Sequence, residues 1–220
     1  MSIAANLHNI KELLPDHVTL VAVSKTKSNE DILEAYNSGQ RVFGENKVQE
    51  MAQKWETLPK DIQWHMIGHV QRNKVKYMAE FVSLIHGVDS LKLLTEINKQ
   101  AKKHYRKISC LMQMHIAEEE TKFGLDKSEL DAIINSEVFK QFENIEIVGL
   151  MGMATFTTDE TLIRKEFKHL KCIFDELRNI LPDISIMSMG MSSDYAIAIE
   201  EGSNMVRIGS SIFGARNYSN

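Results

Sequence analysis

Lys25 has more chemistry open to it than any other residue of the chain. It follows the apolar run Val18, Leu20, Val21, Ala22 and Val23, where the sequence turns abruptly to Ser24-Lys25-Thr26-Lys27. A run of that length and composition reads as a buried strand, so the lysine's amine stands at the mouth of whatever the strand helps build. An ordinary lysine, with a pKa of about 10.4, is protonated at neutral pH; Schiff-base chemistry needs desolvation or a nearby positive charge to lower that value. Taken alone, an amine at a strand end is ordinarily just solvated. Other polar residues must decide between the two readings.

Candidates of that kind end the later apolar segments: Asn46, His65 with His69, His86, Gln113 with His115, the turn from Gly190 to Asp194, and Arg207 with Gly209 and Ser210. Two of these stretches have the makings of a phosphate site. Ser188-Met189-Gly190-Met191-Ser192-Ser193-Asp194 leaves a strand through glycine and enters a helix at serine, which offers free backbone N–H groups and hydroxyls. Arg207-Ile208-Gly209-Ser210-Ser211 repeats the pattern, with Gly209 allowing close backbone approach. Both also read as capped helix starts holding only water. No metal site is expected, because His65 and His69 lie across Gly68 at a strand end, where a four-residue spacing does not bring two rings together.

The elements that must position these residues alternate between strand and helix. An amphipathic helix with Ile3, Leu7, Ile10 and Leu14 comes first, ahead of the Val18 strand. Helices are expected over 29–38, from 46 through 55, over 73–80, after Ser90, over 128–136, 159–181 and 193–201, and from Ser210. The strands between them are expected at 41–43, 62–67, 81–87, 108–116, 145–153, 184–189 and 205–208. Alternation of this kind demands a parallel sheet with helical crossovers, and eight units can close into a barrel. The competing doubly wound sheet usually shows a glycine-rich turn after its first strand, and Ser24-Lys25-Thr26-Lys27 has no glycine. The expected fold is therefore α/β, a single (β/α)8 TIM-type barrel domain over residues 1–220 with an extra N-terminal helix. In such a barrel the strand-end residues converge on one mouth, and the last two loops frequently hold phosphate.

Composition narrows the function classes. A chain of 220 residues with 43% hydrophobic and 25% charged residues is an ordinary globular protein, and its net charge of -4 gives no basic face for nucleic acid. No apolar stretch approaches a membrane span and Met1 to Asn9 lacks a signal core, so a cytoplasmic location without a membrane partner is expected. Cys110 and Cys172 read as core thiols.

Five blocks carry a resemblance: Val21-Ala22-Val23-Ser24-Lys25-Thr26-Lys27, Phe43-Gly44-Glu45-Asn46-Lys47-Val48-Gln49-Glu50, Trp64-His65-Met66-Ile67-Gly68-His69, Ser188-Met189-Gly190-Met191-Ser192 and Val206-Arg207-Ile208-Gly209-Ser210-Ser211-Ile212-Phe213-Gly214. In order along nearly the whole chain, they resemble the pyridoxal phosphate homeostasis proteins, which are similar to the N-terminal barrel domain of alanine racemase. The resemblance implies pyridoxal 5'-phosphate (PLP) held as a Schiff base on Lys25, with Ser192, Gly209 and Ser210 around its phosphate. It implies Arg207 at the pyridine nitrogen and Asn46 and His65 near the cofactor. An arginine there discourages ring protonation and weakens PLP as an electron sink.

Two departures from the family pattern, Gln113-Met114-His115 and Met151-Gly152-Met153-Ala154, bear on the pocket floor. The function implied is a monomeric, non-enzymatic carrier or buffer in vitamin B6 homeostasis, passing PLP to apo PLP-dependent enzymes, with no catalytic residue. The alternative is a small amino-acid racemase. Relatives that racemise take a second base, a tyrosine, from a further β domain, for which the sequence to Asn220 leaves no room.

Overall fold

The computed structural model describes residues 2–119 and 123–214. Helix α1 (Ile3–Leu13), capped by the Ser2 hydroxyl, precedes strand β1 (Thr19–Val23). The chain then runs through α2 (Asn29–Asn37), β2 (Val42–Glu45), α3 (Val48–Thr57) and β3 (Gln63–Met66). A 3₁₀ helix, Arg72–Tyr77, replaces the expected α-helix before β4 (Leu84–Val88). There follow α4 (Leu91–Lys103), β5 (Ile108–Gln113), α5 (Lys127–Ile134), α6 (Glu137–Lys140), β6 (Ile145–Met151), α7 (Glu160–Arg178), β7 (Ile186–Met191), α8 (Tyr195–Glu200), β8 (Met205–Ile208) and α9 (Ser210–Phe213). The strands form a closed barrel in chain order, all pairs parallel, and β1 pairs with β8 from Thr19↔Met205 to Ala22↔Ile208. This is the (β/α)8 barrel expected from the alternation, with α1 as the additional helix.

Local chemistry explains where the helices start. Ser28, Ser90, Ser136 and Asp159 each accept a backbone N–H of the first turn, and Asp126 with Glu129 forms a reciprocal capping box.

Two layers of side chains separate across the sheet. Trp64 and Met66 face outward into the main core with Phe43, Ile85 and Phe167, while Val21, Leu84, Leu111, Met151 and Met205 fill the inside of the barrel. Strands β6 and β7 approach so closely that a Cβ on Gly149 would lie 1.7 Å from the Ile186 carbonyl oxygen. Among the described residues, no helix is long and apolar enough to cross a membrane.

Candidate cofactor site

A cavity of about 550 Å³ opens at the carboxyl ends of the strands. Its lining includes six of the seven expected site residues: Lys25 after β1, Asn46 after β2, Ser192 after β7, and Arg207, Gly209 and Ser210 from β8 and the turn beyond it. Gly209 N–H donates to Ser192 Oγ at 3.3 Å, so the two serine-bearing loops are joined directly. A tight turn precedes them, with Gly190 at φ +95° and the Met191 N–H donating to Asp194 Oδ1 at 2.6 Å.

His65 is the exception, since it is not among the residues lining the cavity. Its alternation in β3 turns it inward as expected, but it sits deeper, 5% exposed, with Nδ1 3.0 Å from Nε2 of His86. Two further strand-end candidates also stay out of the lining. His86 is fully buried, with Nδ1 3.1 Å from Ser188 Oγ, and His115 turns to the Glu119 carbonyl. Burial without a compensating acid pushes His65 down to about 3 and His86 well below the ordinary histidine value.

The polar lining includes the basic side chains Lys25, Lys27 and Arg207. Lys25 and Lys27 line the rim, and Lys27 Nζ donates to the Phe213 carbonyl at 2.9 Å, capping the end of α9. Arg207 is 4% exposed and donates to the Ser188 carbonyl, the Ser188 hydroxyl and the Gly152 carbonyl. Desolvation lowers its pKa to about 10, against the opposing pull of Asp194, so it is a cation at neutral pH. A buried cation held mainly by carbonyls suits an electron-rich or anionic ligand.

The loop bearing Lys25 is itself held from α3. Lys54 Nζ donates to the Ser24 carbonyl (2.9 Å), to Glu45 (2.8 Å) and to Glu50 (2.7 Å), and Glu50 accepts the Thr26 N–H at 2.6 Å. Thr26 has φ +65°, a left-handed conformation that a β-branched residue rarely adopts. Burial raises the Glu45 pKa, with Lys54 the first of the partners opposing it.

Two aromatic rings also line the cavity, Phe123 and Phe156. Phe123 stacks on His69 at 4.2 Å, and its carbonyl accepts from Gln113 Nε2; His69 Nδ1 meets Asp89 at 3.0 Å. Phe156 lines the same cavity, on a loop pinned where Glu166 accepts the Thr155 N–H and hydroxyl. The sequence reading missed Lys27, Thr26, Glu50 and Lys54 as participants, and had Ser188 only within a phosphate stretch, not as the partner of Arg207. The Glu50–Lys54 spacing on a helix was the one available signal.

Comparison with known proteins fits this geometry. The family model described as "Alanine racemase, N-terminal domain" matches residues 1–217. The pyridoxal phosphate homeostasis protein of Vibrio alginolyticus is 39% identical over 210 residues, covering 93% of this chain and 89% of its own. Among solved structures, PipY of Synechococcus elongatus PCC7942 with PLP bound is 33% identical, with a TM-score of 0.88 over 97% of this chain and all of its own. Alanine racemase of Clostridium difficile 630, at 20% identity and a TM-score of 0.79 over 99% of this chain and 60% of its own, shares the fold. The chain belongs to the pyridoxal phosphate homeostasis protein family, built on the alanine racemase N-terminal barrel.

Proposed function

We propose that the chain is one PLP-binding barrel domain that holds PLP as a Schiff base on Lys25 and acts as a carrier or buffer in cytoplasmic vitamin B6 homeostasis, as a monomer that hands PLP to apo PLP-dependent enzymes. The observation that carries the reading is the convergence of an amine, a buried guanidinium and two hydroxyl-bearing loops on one cavity of about 550 Å³, within the usual size range of small-molecule sites.

The residues fit the group. Ser192 and Ser210 supply hydroxyls for a phosphate, and Gly209 packs its Cα so closely that an added Cβ would lie 3.2 Å from Val23. Asn46 Oδ1, on a residue that lines the same cavity, is buried without a hydrogen-bond partner among the described residues, the kind of orphan a ligand hydroxyl satisfies. PLP supplies an aldehyde that condenses with amines and a ring that withdraws electrons. Arg207, donor-only and cationic, leaves a ring nitrogen facing it unprotonated and so limits that withdrawal. Lys25 holds the aldehyde away from other amines.

His65 is assigned no contact with the ligand on this reading; its ring meets His86 instead.

An ultraviolet-visible spectrum of the purified protein incubated with PLP tests the proposal. A visible band that hydroxylamine abolishes and Lys25→Ala lacks is expected. A band that survives in Lys25→Ala overturns the assignment.

A further inference from the structure

Beneath the cavity floor, four buried side chains make one continuous polar chain inside the barrel. Arg207 Nη1 donates to Ser188 Oγ at 2.7 Å and to the Ser188 carbonyl at 2.9 Å, while Nη2 donates to the Gly152 carbonyl at 3.1 Å. Ser188 Oγ lies 3.1 Å from His86 Nδ1, and His86 Nε2 lies 3.0 Å from His65 Nδ1. Ser188 and His86 are fully buried, and His65 and Arg207 nearly so.

Elimination fixes where each hydrogen sits. A guanidinium has donors only, so Ser188 Oγ accepts from Arg207. Among the described residues, the acceptor that Ser188 hydroxyl meets is Nδ1 of His86. A hydrogen on that Nδ1 would strand the hydroxyl proton in a dry interior, where an unmade bond carries its full desolvation cost. His86 therefore carries its hydrogen on Nε2 and donates it to Nδ1 of His65, which places the His65 hydrogen on Nε2. Burial keeps both rings uncharged, with His65 down to about 3, so one tautomer of each persists across the physiological range.

A serine hydroxyl is a rotor with one proton and two lone pairs. His86 draws the proton to one side, and a lone pair is left facing the guanidinium. We infer that Ser188 and His86 are positioning residues for Arg207, acting through a one-way hydrogen-bond chain that ends at His65 and sets the plane in which the guanidinium faces the cavity. The inference rests on the proposed contact of Arg207 with the cofactor ring for its functional meaning. The direction of the chain does not depend on that contact.

Two measurements separate them. Long-range ¹H–¹⁵N NMR correlation of the imidazoles in protein free of PLP reads the tautomers directly. Nε2–H is expected on both His86 and His65 from about pH 8 to about pH 5, below which an ordinary histidine has long since titrated. In Ser188→Ala the preference at His86 is expected to disappear. PLP titration then reads the consequence: Ser188→Ala and His86→Leu each weaken PLP binding by about tenfold, the effect of one hydrogen bond to a charged group, and shift the absorbance maximum. His86→Asn, whose amide oxygen can accept where Nδ1 did, recovers most of the affinity.

A hydrogen found on His86 Nδ1 overturns the inference, as does wild-type affinity and spectrum in Ser188→Ala. Should His86→Leu fail to fold, Ser188→Ala carries the titration. Failure of the wild type to take up PLP would sink the proposed function, while the tautomers would still decide the direction of the chain.

Discussion

Replacing Lys54 by methionine tests whether the loop that carries Lys25 is held by a buried charge. The Lys54 side chain is 7% exposed and its ammonium joins Ser24, Glu45 and Glu50. Methionine keeps most of the stem's volume and none of the charge. Glu45, with a side chain 0% exposed, then keeps the Ser24 hydroxyl at 2.6 Å as its side-chain donor among the described residues. Breaking one side of a buried pair costs about 3–5 kcal/mol, on the order of a 10 °C fall in Tm for a chain of this length. The deficit should depend on pH, with a determinate sign. Burial already raises the Glu45 pKa above its ordinary 4.5, and removing Lys54 raises it further. A carboxyl whose folded pKa exceeds its unfolded one binds its proton more tightly when folded, so that contribution is complete in acid and is lost as pH rises through the folded value. Urea denaturation of Lys54→Met and wild type at about pH 5 and about pH 8 should therefore show the larger deficit at the higher pH. The double variant Lys54→Met with Glu45→Gln, which leaves neither charge, should regain more than half of it. Equal deficits at the two pH values, or a double variant no more stable than the single one, would refute the reasoning.

Three other outcomes are expected. Gly149→Ala forces a Cβ against the Ile186 carbonyl, 1.7 Å away, and should destabilise the β6–β7 seam by more than about 3 kcal/mol, read by thermal melting. A thiol reagent should label Cys172 alone in the native protein and both cysteines after unfolding, because Cys172, expected in the core, is instead exposed on α7, while burial pushes the Cys110 thiol upward and hides it. PLP-loaded protein incubated with L-alanine should show no loss of optical rotation; turnover of about 1 per second would place the chain among racemases instead.

The strand-helix alternation made the barrel legible, and a strand's period of two is enough to separate Trp64 and Met66 from His65, which the structure places on the outer and inner faces respectively. Depth along the barrel axis was not legible. Alternation says which way a side chain points, while its height depends on strand tilt and stagger, which no single strand encodes; hence His65 fell below the cavity that Asn46 and Arg207 reach. Phe81 and Val82 were read as strand because they are apolar. Phe81 instead stacks on Trp55 of α3 at 4.5 Å, and the strand begins at Leu84. Thr26 was invisible as a left-handed residue, since its β-branch argues against φ +65°; its N–H is held by Glu50 and the turn around it is closed by the Lys27 N–H on the Ser24 carbonyl. The short helix after Ser136 was missed although its capping serine was there to read.

The closure of β8 onto β1 has a temporal meaning. Lys25 and Asn46 belong to the first quarter of the chain, Ser192, Arg207 and Ser210 to its last stretch, and the seam between them is tied by Lys27 to Phe213 and by Asn6 to Ile212. A chain emerging from the ribosome carries the amine early yet owns no binding site until the eighth strand has docked against the first. Any molecule that occupies the cavity thus recognises a finished barrel and, by mass action, locks its final joint. Occupancy becomes a certificate of completed folding, issued at the seam where the first strand meets the last.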